Sequence, residues 1–496
     1  MKLRPGVTVA ALATATLTAL TTLTAPTAPA APGPARAAEE PSSPVALTGA
    51  PVVEVGNYDG FLYGDIGLNL VARDQAFEVR AHRTKWIDQI ETYWQSPNGP
   101  VQIPAGPNDR WDALDNFIVL EIRRAKDGEL VRTRRLDVCL NQWNTQRSHP
   151  DAPLRSPYPM WCPANPFTKG SVQGIQQGWI SNIDISESRL RLPRGRYDVT
   201  ARIANRYVST LGIAPDDARR KYRLVVTRPS DDDYYYYGRR DHGTTSTRLR
   251  PAAVKPRAKQ AGAPTDAVPD LRSLPAFSMR LSPNKKYLRF SATVWNAGDG
   301  PLVVDGFRRG TQDVMDAFQY FIDSEGNQTG YRQVGTMIWH KAPSHNHWHF
   351  KDFAKYSLLN ADKTEVVVSR KESFCLANTD AVDYTVPGAD WQPENTDLHT
   401  SCGDQSSISL REVLSPGSGD TYEQFRAGQA FRVDNLPNGI YYIAVEGNPN
   451  RNLVESNTGN NRALRKVKLS GKGANRKLSF YRVGIIDDRG YGSEEH

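Results

Sequence analysis

Short strand-like runs, each bounded by a turn signal, recur through most of this chain. The clearest are residues 77–81 (FEVRA), 117–122 (FIVLEI), 197–203 (YDVTARI), 287–295 (YLRFSATVW) and 440–445 (IYYIAV). Side chains on a strand point alternately to opposite faces, so such runs bury one face of a sheet. Residues 192–195 (LPRG) and 436–439 (LPNG) are typical of turns that precede strands. Because long helical periodicity is absent, the chain is predicted to be all-β.

A change of composition divides the strand-rich parts. Residues 229–268 combine an Asp/Tyr run with many Pro, Ala, Lys and Arg residues. Such a segment cannot bury a core and is predicted to be a flexible, disordered linker that proteases can reach. A chain of 496 residues is long enough for two or three domains. We therefore expect two β-sandwich-like domains, at residues 51–228 and 269–496.

The N-terminus has the pattern of an export signal. Lys2 and Arg4 precede an apolar run at residues 7–23, and small residues at 35–37 offer a cleavage site. Residues 1–37 are therefore interpreted as a signal peptide. No other segment is apolar enough to span a membrane, so the mature protein is expected to be secreted and extracellular.

The four cysteines fit an oxidising compartment. Proximity in the sequence favours two disulfides, Cys139–Cys162 and Cys375–Cys402, one in each expected domain. Each closes a loop of moderate length, worth roughly 3–4 kcal/mol on a chain-entropy estimate.

The net charge of +8 is unevenly distributed. Residues 239–259 are strongly basic, whereas residues 371–460 hold thirteen acidic against five basic residues. The basic excess therefore lies largely in the expected linker and near the C-terminus, and it does not argue for nucleic acid binding.

Four of the nine histidines fall within residues 340–349. Three of them, His345, His347 and His349, alternate, so an extended strand would project all three imidazoles from one face. A solvated, His-rich strand explains neither the number nor the spacing. Imidazole binds copper, zinc, iron and nickel, so this pattern predicts a metal site without choosing the metal.

Several segments, in one consistent order, resemble the lysyl oxidase family. They are residues 287–290 (YLRF), 296–298 (NAG), 339–350 (WHKAPSHNHWHF), 370–376 (RKESFCL), 415–422 (SPGSGDTY) and 453–461 (LVESNTGNN). The resemblance is confined to the C-terminal part of the chain.

The resemblance implies that His345, His347 and His349 bind Cu(II). It further implies that Lys371 and Tyr422 combine into a lysine tyrosylquinone cofactor. The expected activity is oxidation of primary amines, mainly lysine side chains of proteins or peptides, to aldehydes with release of ammonia and hydrogen peroxide. In such enzymes the cofactor carries the chemistry and the protein positions it.

Two further roles stay open. Asp352 and Asp420 are candidates for the catalytic base, because both lie close in sequence to the motif residues. His340 is a candidate supporting residue for the copper site.

A second metal, Ca²⁺, is expected near the end of the domain. The chain offers carboxylate and amide oxygens there, which suit this ion. The resemblance adds an Asp-Leu pair at the start of the domain. The candidate residues are Asp270, Leu271, Glu455, Asn457, Asn460 and Asn461.

The N-terminal domain resembles nothing in that family. Trp143, Tyr158, Trp161 and Trp179 are candidates for an aromatic ligand surface, although such residues more often belong to the core. An extracellular polymer is the expected partner of this domain. A role as a propeptide is the other interpretation.

One departure from the family lies beside the histidine triplet, where Ser344 replaces the cysteine of the animal enzymes. Two alternative functions also remain. One is a mononuclear metal hydrolase or oxygenase, in which Lys371 and Tyr422 are incidental. The other is a secreted copper-binding or adhesion protein without enzymatic activity.

Overall fold

The computed structural model describes residues 43–58, 60–62, 65–105, 111–185, 190–228, 262, 264, 266–340, 347–371, 373–392, 396–426 and 428–488. The predicted signal peptide, most of the predicted linker and His345 lie outside these residues. The chain from Ser42 onward forms one compact unit. The division at residues 228 and 269 therefore remains a prediction, and the two parts are called the N-terminal and C-terminal halves below.

Strands and one helix build the N-terminal half. They are β1 Ala46–Gly49, β2 Val52–Tyr58, β3 Phe61–Leu62, β4 Asp65–Ala72, β5 Phe77–His82, β6 Glu91–Ser96, β7 Gly99–Ile103, β8 Leu114–Arg124, β9 Leu130–Val138, β10 Gln146–Arg147, β11 Gly170–Ile175, β12 Trp179–Asp184, β13 Gly195–Ile203, α1 Asn205–Leu211 and β14 Arg219–Thr227. Three sheets result, with strand orders β1-β4-β12-β10, β11-β5-β6-β7 and β3-β2-β14-β13-β8-β9.

The C-terminal half is built from β15 Leu271–Ser273, β16 Phe277–Leu281, β17 Tyr287–Asn296, β18 Leu302–Arg308, β19 Val314–Ile322, β20 Gln328–Trp339, β21 Trp348–Lys351, β22 Ala354–Leu359, β23 Glu365–Val368, β24 Ser373–Phe374, β25 Asp380–Ala381, β26 Ser409–Leu414, β27 Ser418–Tyr422, β28 Ala430–Arg432, β29 Gly439–Gly447, β30 Arg462–Ser470 and β31 Lys477–Phe480. A short 3-10 helix spans Gly473–Asn475. The sheets have orders β15-β17-β27-β25, β24-β21-β20-β19-β18-β26 and β23-β22-β29-β30-β31, with β16 and β28 also paired to β17.

Alternation explains how these strands enclose their cores. Strand β5 alternates buried and half-buried residues along its length, which is the pattern that residues 77–81 predict. The predicted runs 287–295 and 440–445 lie within β17 and β29. Each half has a core of its own, and the largest fully buried side chains of the C-terminal half include Trp348, Tyr356, Phe290, Phe350, Phe353, Phe374 and Phe431. The prediction of an all-β fold is confirmed.

Both predicted disulfides, Cys139–Cys162 and Cys375–Cys402, are formed. Their Cα atoms lie 6.0 Å apart in each case, which is an ordinary separation for a disulfide. Within the described ranges, no helix has the length and apolar character needed to span a lipid bilayer.

Candidate active site

A β-hairpin presents the histidines. Strand β20 ends at Trp339, and β21 returns from Trp348 with Ile338 opposite His349. The backbone N–H of His340 donates to the carbonyl of His347 at 3.1 Å, which extends the pairing beyond the strands. The hairpin thus brings His340, His347 and His349 to one end of the sheet. His345 is part of the connecting segment outside the described residues, so its predicted place beside them is not tested.

The imidazoles of His347 and His349 converge. Their Nε2 atoms lie 2.8 Å apart, and their ring centroids lie 4.7 Å apart. His349 is fully buried, and its Nδ1 lies 3.1 Å from the hydroxyl of Ser373. With the proton on Nδ1, the ring donates to that hydroxyl and keeps the Nε2 lone pair for a metal. Two Nε2 atoms at this distance either share a proton or face a common cation.

His340, the candidate supporting residue, lies next to these two histidines. Its ring centroid lies 4.9 Å from that of His349. Burial and then the nearby positive charge of Lys371 lower the pKa of His340. A lowered pKa keeps the imidazole neutral at pH 7, which is the form that binds metals.

The structure brings together Lys371 and Tyr422, the pair that the family resemblance implies. The Lys371 Nζ lies 4.2 Å from the centroid of the Tyr422 ring. Lys371 is buried, and this burial lowers its pKa to about 8, although Asp420 opposes the shift. The amine is therefore deprotonated more easily than a surface lysine and lies against the face of a phenol.

Backbone hydrogen bonds hold the Tyr422 phenol in place. The N–H of Cys375 donates to its hydroxyl at 2.8 Å, and the hydroxyl donates to the Cys375 carbonyl at 3.3 Å. Phe374 packs edge-on against the ring, with centroids 5.0 Å apart. Burial and then the nearby Asp420 raise the pKa of Tyr422 well above its usual value.

The Cys375–Cys402 disulfide links the two parts of the site. Cys375 holds the Tyr422 hydroxyl, and the carbonyl of Cys402 accepts from the N–H of Trp348, at 2.9 Å, on the histidine strand. Cys375, Cys402 and Glu412 also place potential metal ligands within 4.8 Å of one another. Since the two sulfurs are bonded to each other, this cluster is a covalent brace and not a metal site.

Asp420 and Asp352 differ sharply in their surroundings. Asp420 is buried two residues before Tyr422, and its Oδ2 has no hydrogen-bond partner among the described residues. Burial raises its pKa well above the usual value, while the charge of Lys371 opposes this shift. Asp352 is exposed in a tight turn with a φ of 63°. Asp420 is thus buried and close enough to Lys371 to feel its charge, whereas Asp352 faces solvent.

The expected calcium residues are brought together, except Asn457. The N–H of Leu271 and the Nδ2 of Asn461 both donate to Glu455, at 2.8 and 2.7 Å. The Nδ2 of Asn460 donates to Asp270 at 3.0 Å. The buried Oδ1 atoms of Asn460 and Asn461 have no hydrogen-bond partner among the described residues, so the cluster offers oxygens that suit Ca²⁺. The Asn457 side chain instead accepts from the N–H of Gly459 at 2.9 Å in an exposed turn.

The aromatic residues predicted to form one ligand surface are not alike. Trp143 and Trp161 are 73% and 53% exposed, whereas Tyr158 is buried. The indole N–H of Trp179 donates to the carbonyl of Pro153. Tyr158 stacks on Trp391 of the C-terminal half, with centroids 6.4 Å apart, so it serves as packing between the halves.

Two residues of the site had not been predicted. Ser373 orients His349, and buried Glu412 accepts from the N–H of Leu376 at 2.9 Å. Ser373 lies in the motif around Lys371, so nearness to that motif was the available signal. Nothing in the sequence marks Glu412 as buried.

Comparison with known proteins places this site within a matched region. Residues 308–477 match the family model described as lysyl oxidase. The chain is 27% identical to lysyl oxidase homolog 2 of Gallus gallus over 192 residues, which make up 38% of this chain and 21% of that protein. It is also 27% identical to lysyl oxidase homolog 3B of Danio rerio over 137 residues, 27% of this chain and 15% of that protein. The chain thus spans about a fifth or less of these relatives. The predicted resemblance is confirmed and is confined to the C-terminal region.

Proposed function

We propose that this chain is a secreted copper-dependent amine oxidase that acts on primary amines. The overall reaction converts an amine R–CH₂–NH₂, oxygen and water into an aldehyde, ammonia and hydrogen peroxide. The observation that carries the proposal is the 4.2 Å distance between the Lys371 Nζ and the centroid of the Tyr422 ring. Both residues fall within the matched segment. Peptidyl lysine is the proposed substrate class, following the names of the relatives, with small primary amines as the second class.

Copper is proposed to bind His345, His347 and His349, with His340 beside them. The converging Nε2 atoms of His347 and His349 fit such an ion, since imidazole nitrogens suit Cu(II). When bound, copper would supply, together with oxygen, the oxidation that converts Lys371 and Tyr422 into lysine tyrosylquinone. The hydroxyl of Ser373 is placed to accept from the Nδ1–H of His349, which is the tautomer that binding through Nε2 requires.

Lys371 is suited to bond to the Tyr422 ring because its amine can lose its proton near neutral pH. With a pKa of about 8, roughly a tenth of the amine is neutral at pH 7, against less than about a thousandth for an unperturbed lysine. The hydrogen bonds from Cys375 to the phenol and the packing of Phe374 hold the ring under the amine.

Asp420 is the proposed base that takes the proton from the carbon next to the substrate nitrogen. A base works best when its pKa is close to the working pH, and burial raises the pKa of Asp420 in that direction. Its negative charge would also favour a cationic amine on arrival.

Three further assignments belong to the proposal. The cluster of Asp270, Glu455, Asn460 and Asn461 is proposed to hold a structural Ca²⁺. Export through the N-terminal signal is proposed because disulfides persist in oxidising compartments. Binding of an extracellular polymer by the N-terminal half stays a proposal, for which exposed Trp143 and Trp161 are the candidate contacts.

The quinone test uses purified, copper-loaded protein and phenylhydrazine, which gives a coloured adduct with a quinone carbonyl. The wild type should form the adduct, while Lys371→Ala and Tyr422→Phe should lose it. Lys468→Ala and Tyr481→Phe are matched controls at exposed positions of the same half and should retain it. A wild-type protein that binds copper and forms no adduct would overturn the oxidase proposal.

The substrate test measures peroxide release with lysine-containing peptides and with small diamines. Faster release with the peptides supports the substrate class. Bound copper without peroxide from any amine would favour the copper-binding or adhesion alternative. Hydrolytic or oxygenase turnover without the adduct would favour a mononuclear metal enzyme.

A further inference from the structure

The two halves share a hydrophobic core. Phe167 of the N-terminal half is fully buried in a cluster with Leu274, Phe277, Trp295, Val382 and Ile486 of the C-terminal half. Trp86 packs against the same cluster, and its carbonyl accepts from the N–H of Ile485 at 2.9 Å. Burial of large apolar side chains from both halves is typical of a permanent interface.

Backbone pairing extends this contact along residues 168–170. The N–H of Lys169 donates to the carbonyl of Val382 at 2.7 Å, and the N–H of Tyr384 donates to the carbonyl of Gly170 at 3.0 Å. A Cβ at Gly170 would lie 2.1 Å from the Asp383 carboxylate. The absence of a side chain at Gly170 therefore leaves room for the side chains of Asp383 and Thr385 at this contact.

Asn165 connects the N-terminal half to the strand of the quinone tyrosine. Its buried Nδ2 donates to the Thr293 hydroxyl at 3.0 Å. The hydroxyls of Thr293 and Thr421 lie 2.7 Å apart, and that of Thr421 donates to Asp380 at 3.3 Å. Asp380 also accepts from the Asn165 side chain and from the backbone N–H of Ala164. Asn165 and Thr293 are buried, and Thr421 and Asp380 are half-buried, so loss of Asn165 leaves the Thr293 hydroxyl with one partner fewer in the interior.

The two faces of strand β27 contact different groups of residues. In its pairing with β17, Thr421 lies opposite Thr293, between Asp420 and Tyr422. Because side chains alternate, Asp420 and Tyr422 point to one face and Thr421 to the other. The first face meets Lys371, and the second meets the residues that Asn165 holds.

We propose that the N-terminal half positions the active site, and that Asn165 holds β27 through Thr293 and Thr421, on the strand face opposite Asp420 and Tyr422. In this role it keeps the Tyr422 ring against Lys371 while the cofactor forms. The half is then not a propeptide to be discarded. The catalytic part of this inference, which is the effect on cofactor formation, rests on the proposed amine oxidase function. The mechanical part, which is the support of β27 by Asn165, does not.

The mechanical part is tested by hydrogen exchange of the full, metal-free chain, read in peptides that cover residues 415–424. Asn165→Ala should speed exchange in β27 by about three- to tenfold, the size expected for a lost hydrogen bond. Asn98→Ala, in an exposed turn of the same half, should leave it unchanged. Unchanged exchange in Asn165→Ala would overturn the proposal.

A second pair of variants covers the case in which Asn165→Ala fails to fold. Thr293→Val keeps the side-chain shape and removes the bridging hydroxyl, whereas Thr293→Ser keeps the hydroxyl. The first should speed exchange in β27 and the second should restore the wild-type rate. Equal exchange in the two variants would overturn the proposal.

The catalytic part is read from the phenylhydrazine adduct formed per bound copper. Asn165→Ala and Thr293→Val should lower this yield severalfold and reduce kcat in proportion, with KM unchanged. A normal yield despite faster exchange would overturn the role in cofactor formation. If the wild type itself gives no adduct, the oxidase proposal fails. The exchange result still decides whether Asn165 supports β27.

Discussion

The Lys371 amine lies over the Tyr422 ring, 4.2 Å from its centroid. The two residues are far apart in the sequence, so the fold brings them together. Lys371 precedes the short strand β24, and Tyr422 ends β27 in another sheet. The Cys375 backbone, just beyond β24, holds the phenol hydroxyl. This arrangement supports the proposed bond between the amine and the ring.

The Lys371 amine should titrate near pH 8 in the metal-free protein, because burial lowers its pKa. Carbon-13 reductive methylation and NMR would measure this, and the signal should be absent from Lys371→Arg. Since the pKa is lower in the folded than in the unfolded state, folding releases a proton between these two values. The contribution of Lys371 to stability should therefore increase as the pH rises from about 8 to about 10.4. A signal that titrates with the surface lysines would contradict this prediction.

Loss of the Cys375–Cys402 disulfide should damage the site as well as the fold. The double variant Cys375→Ala/Cys402→Ala should lower the free energy of unfolding by about 3–4 kcal/mol, measured by denaturant titration. It should also weaken copper binding, because Cys402 supports Trp348 on the histidine strand. Cys139→Ala/Cys162→Ala, which opens a loop of similar length, is the control. It should lose similar stability and keep its copper affinity.

Ser373→Ala should weaken copper binding about tenfold or more, since removal of a group that orients a ligand has effects of that size. The hydroxyl lies 3.1 Å from the Nδ1 of His349, where it can accept from an Nδ1–H and leave Nε2 for the metal. Competition titration with a copper chelator would measure the change, with Ser479→Ala on exposed β31 as the control. Equal affinities in the two variants would show that this hydroxyl does not act on the metal site.

Asp420→Asn should lower kcat by about 10²- to 10⁴-fold, the usual contribution of a general base. Asp352→Asn should have little effect, because Asp352 is exposed. The base must be ionised, and burial raises the pKa of Asp420, so kcat should rise with pH on the acidic limb of its profile. Steady-state kinetics normalised to quinone content would check both points. Comparable losses in both variants would contradict the assignment.

Calcium should stabilise the protein through Asp270, Glu455, Asn460 and Asn461. A ligand at a hundred times its Kd adds about 2.7 kcal/mol to the free energy of unfolding. Calorimetry with added Ca²⁺ or with a chelator should therefore shift the Tm of the wild type but not of Asp270→Asn. Asn457→Ala should respond like the wild type, since Asn457 lies in an exposed turn. An unchanged Tm of the wild type would contradict the calcium site, and the cluster would then be only a hydrogen-bonded turn.

Local patterns allowed the all-β fold and both disulfides to be predicted from the sequence. Strand alternation and cysteine spacing act over short distances, so they can be recognised in the residues themselves. Lys371 and Tyr422 were recognisable only through the motifs around them, because nothing in a lone lysine or tyrosine indicates a partner. The histidine run was expected to be one strand, yet β21 begins at Trp348.

The contact between the halves could not be predicted. Phe167 and Asn165 belong to a loop without a motif, and their partners Trp295 and Thr293 lie far away in the sequence. Burial of this kind depends on long-range packing. The choice between Asp352 and Asp420 also needed the fold, since both acids lie equally close to motif residues in the chain.

The two faces of β27 have a practical consequence for engineering. Under the proposed function, changes at Thr421 or at Thr293 and Asn165 should alter how many molecules form the cofactor, whereas changes around Asp420 should alter how each molecule with a formed cofactor reacts. Yield and specificity could then be selected in separate libraries. If Asn165 supports β27 as proposed, a C-terminal fragment expressed alone would lack that support, and screens that use the fragment would underestimate the cofactor yield of the full chain.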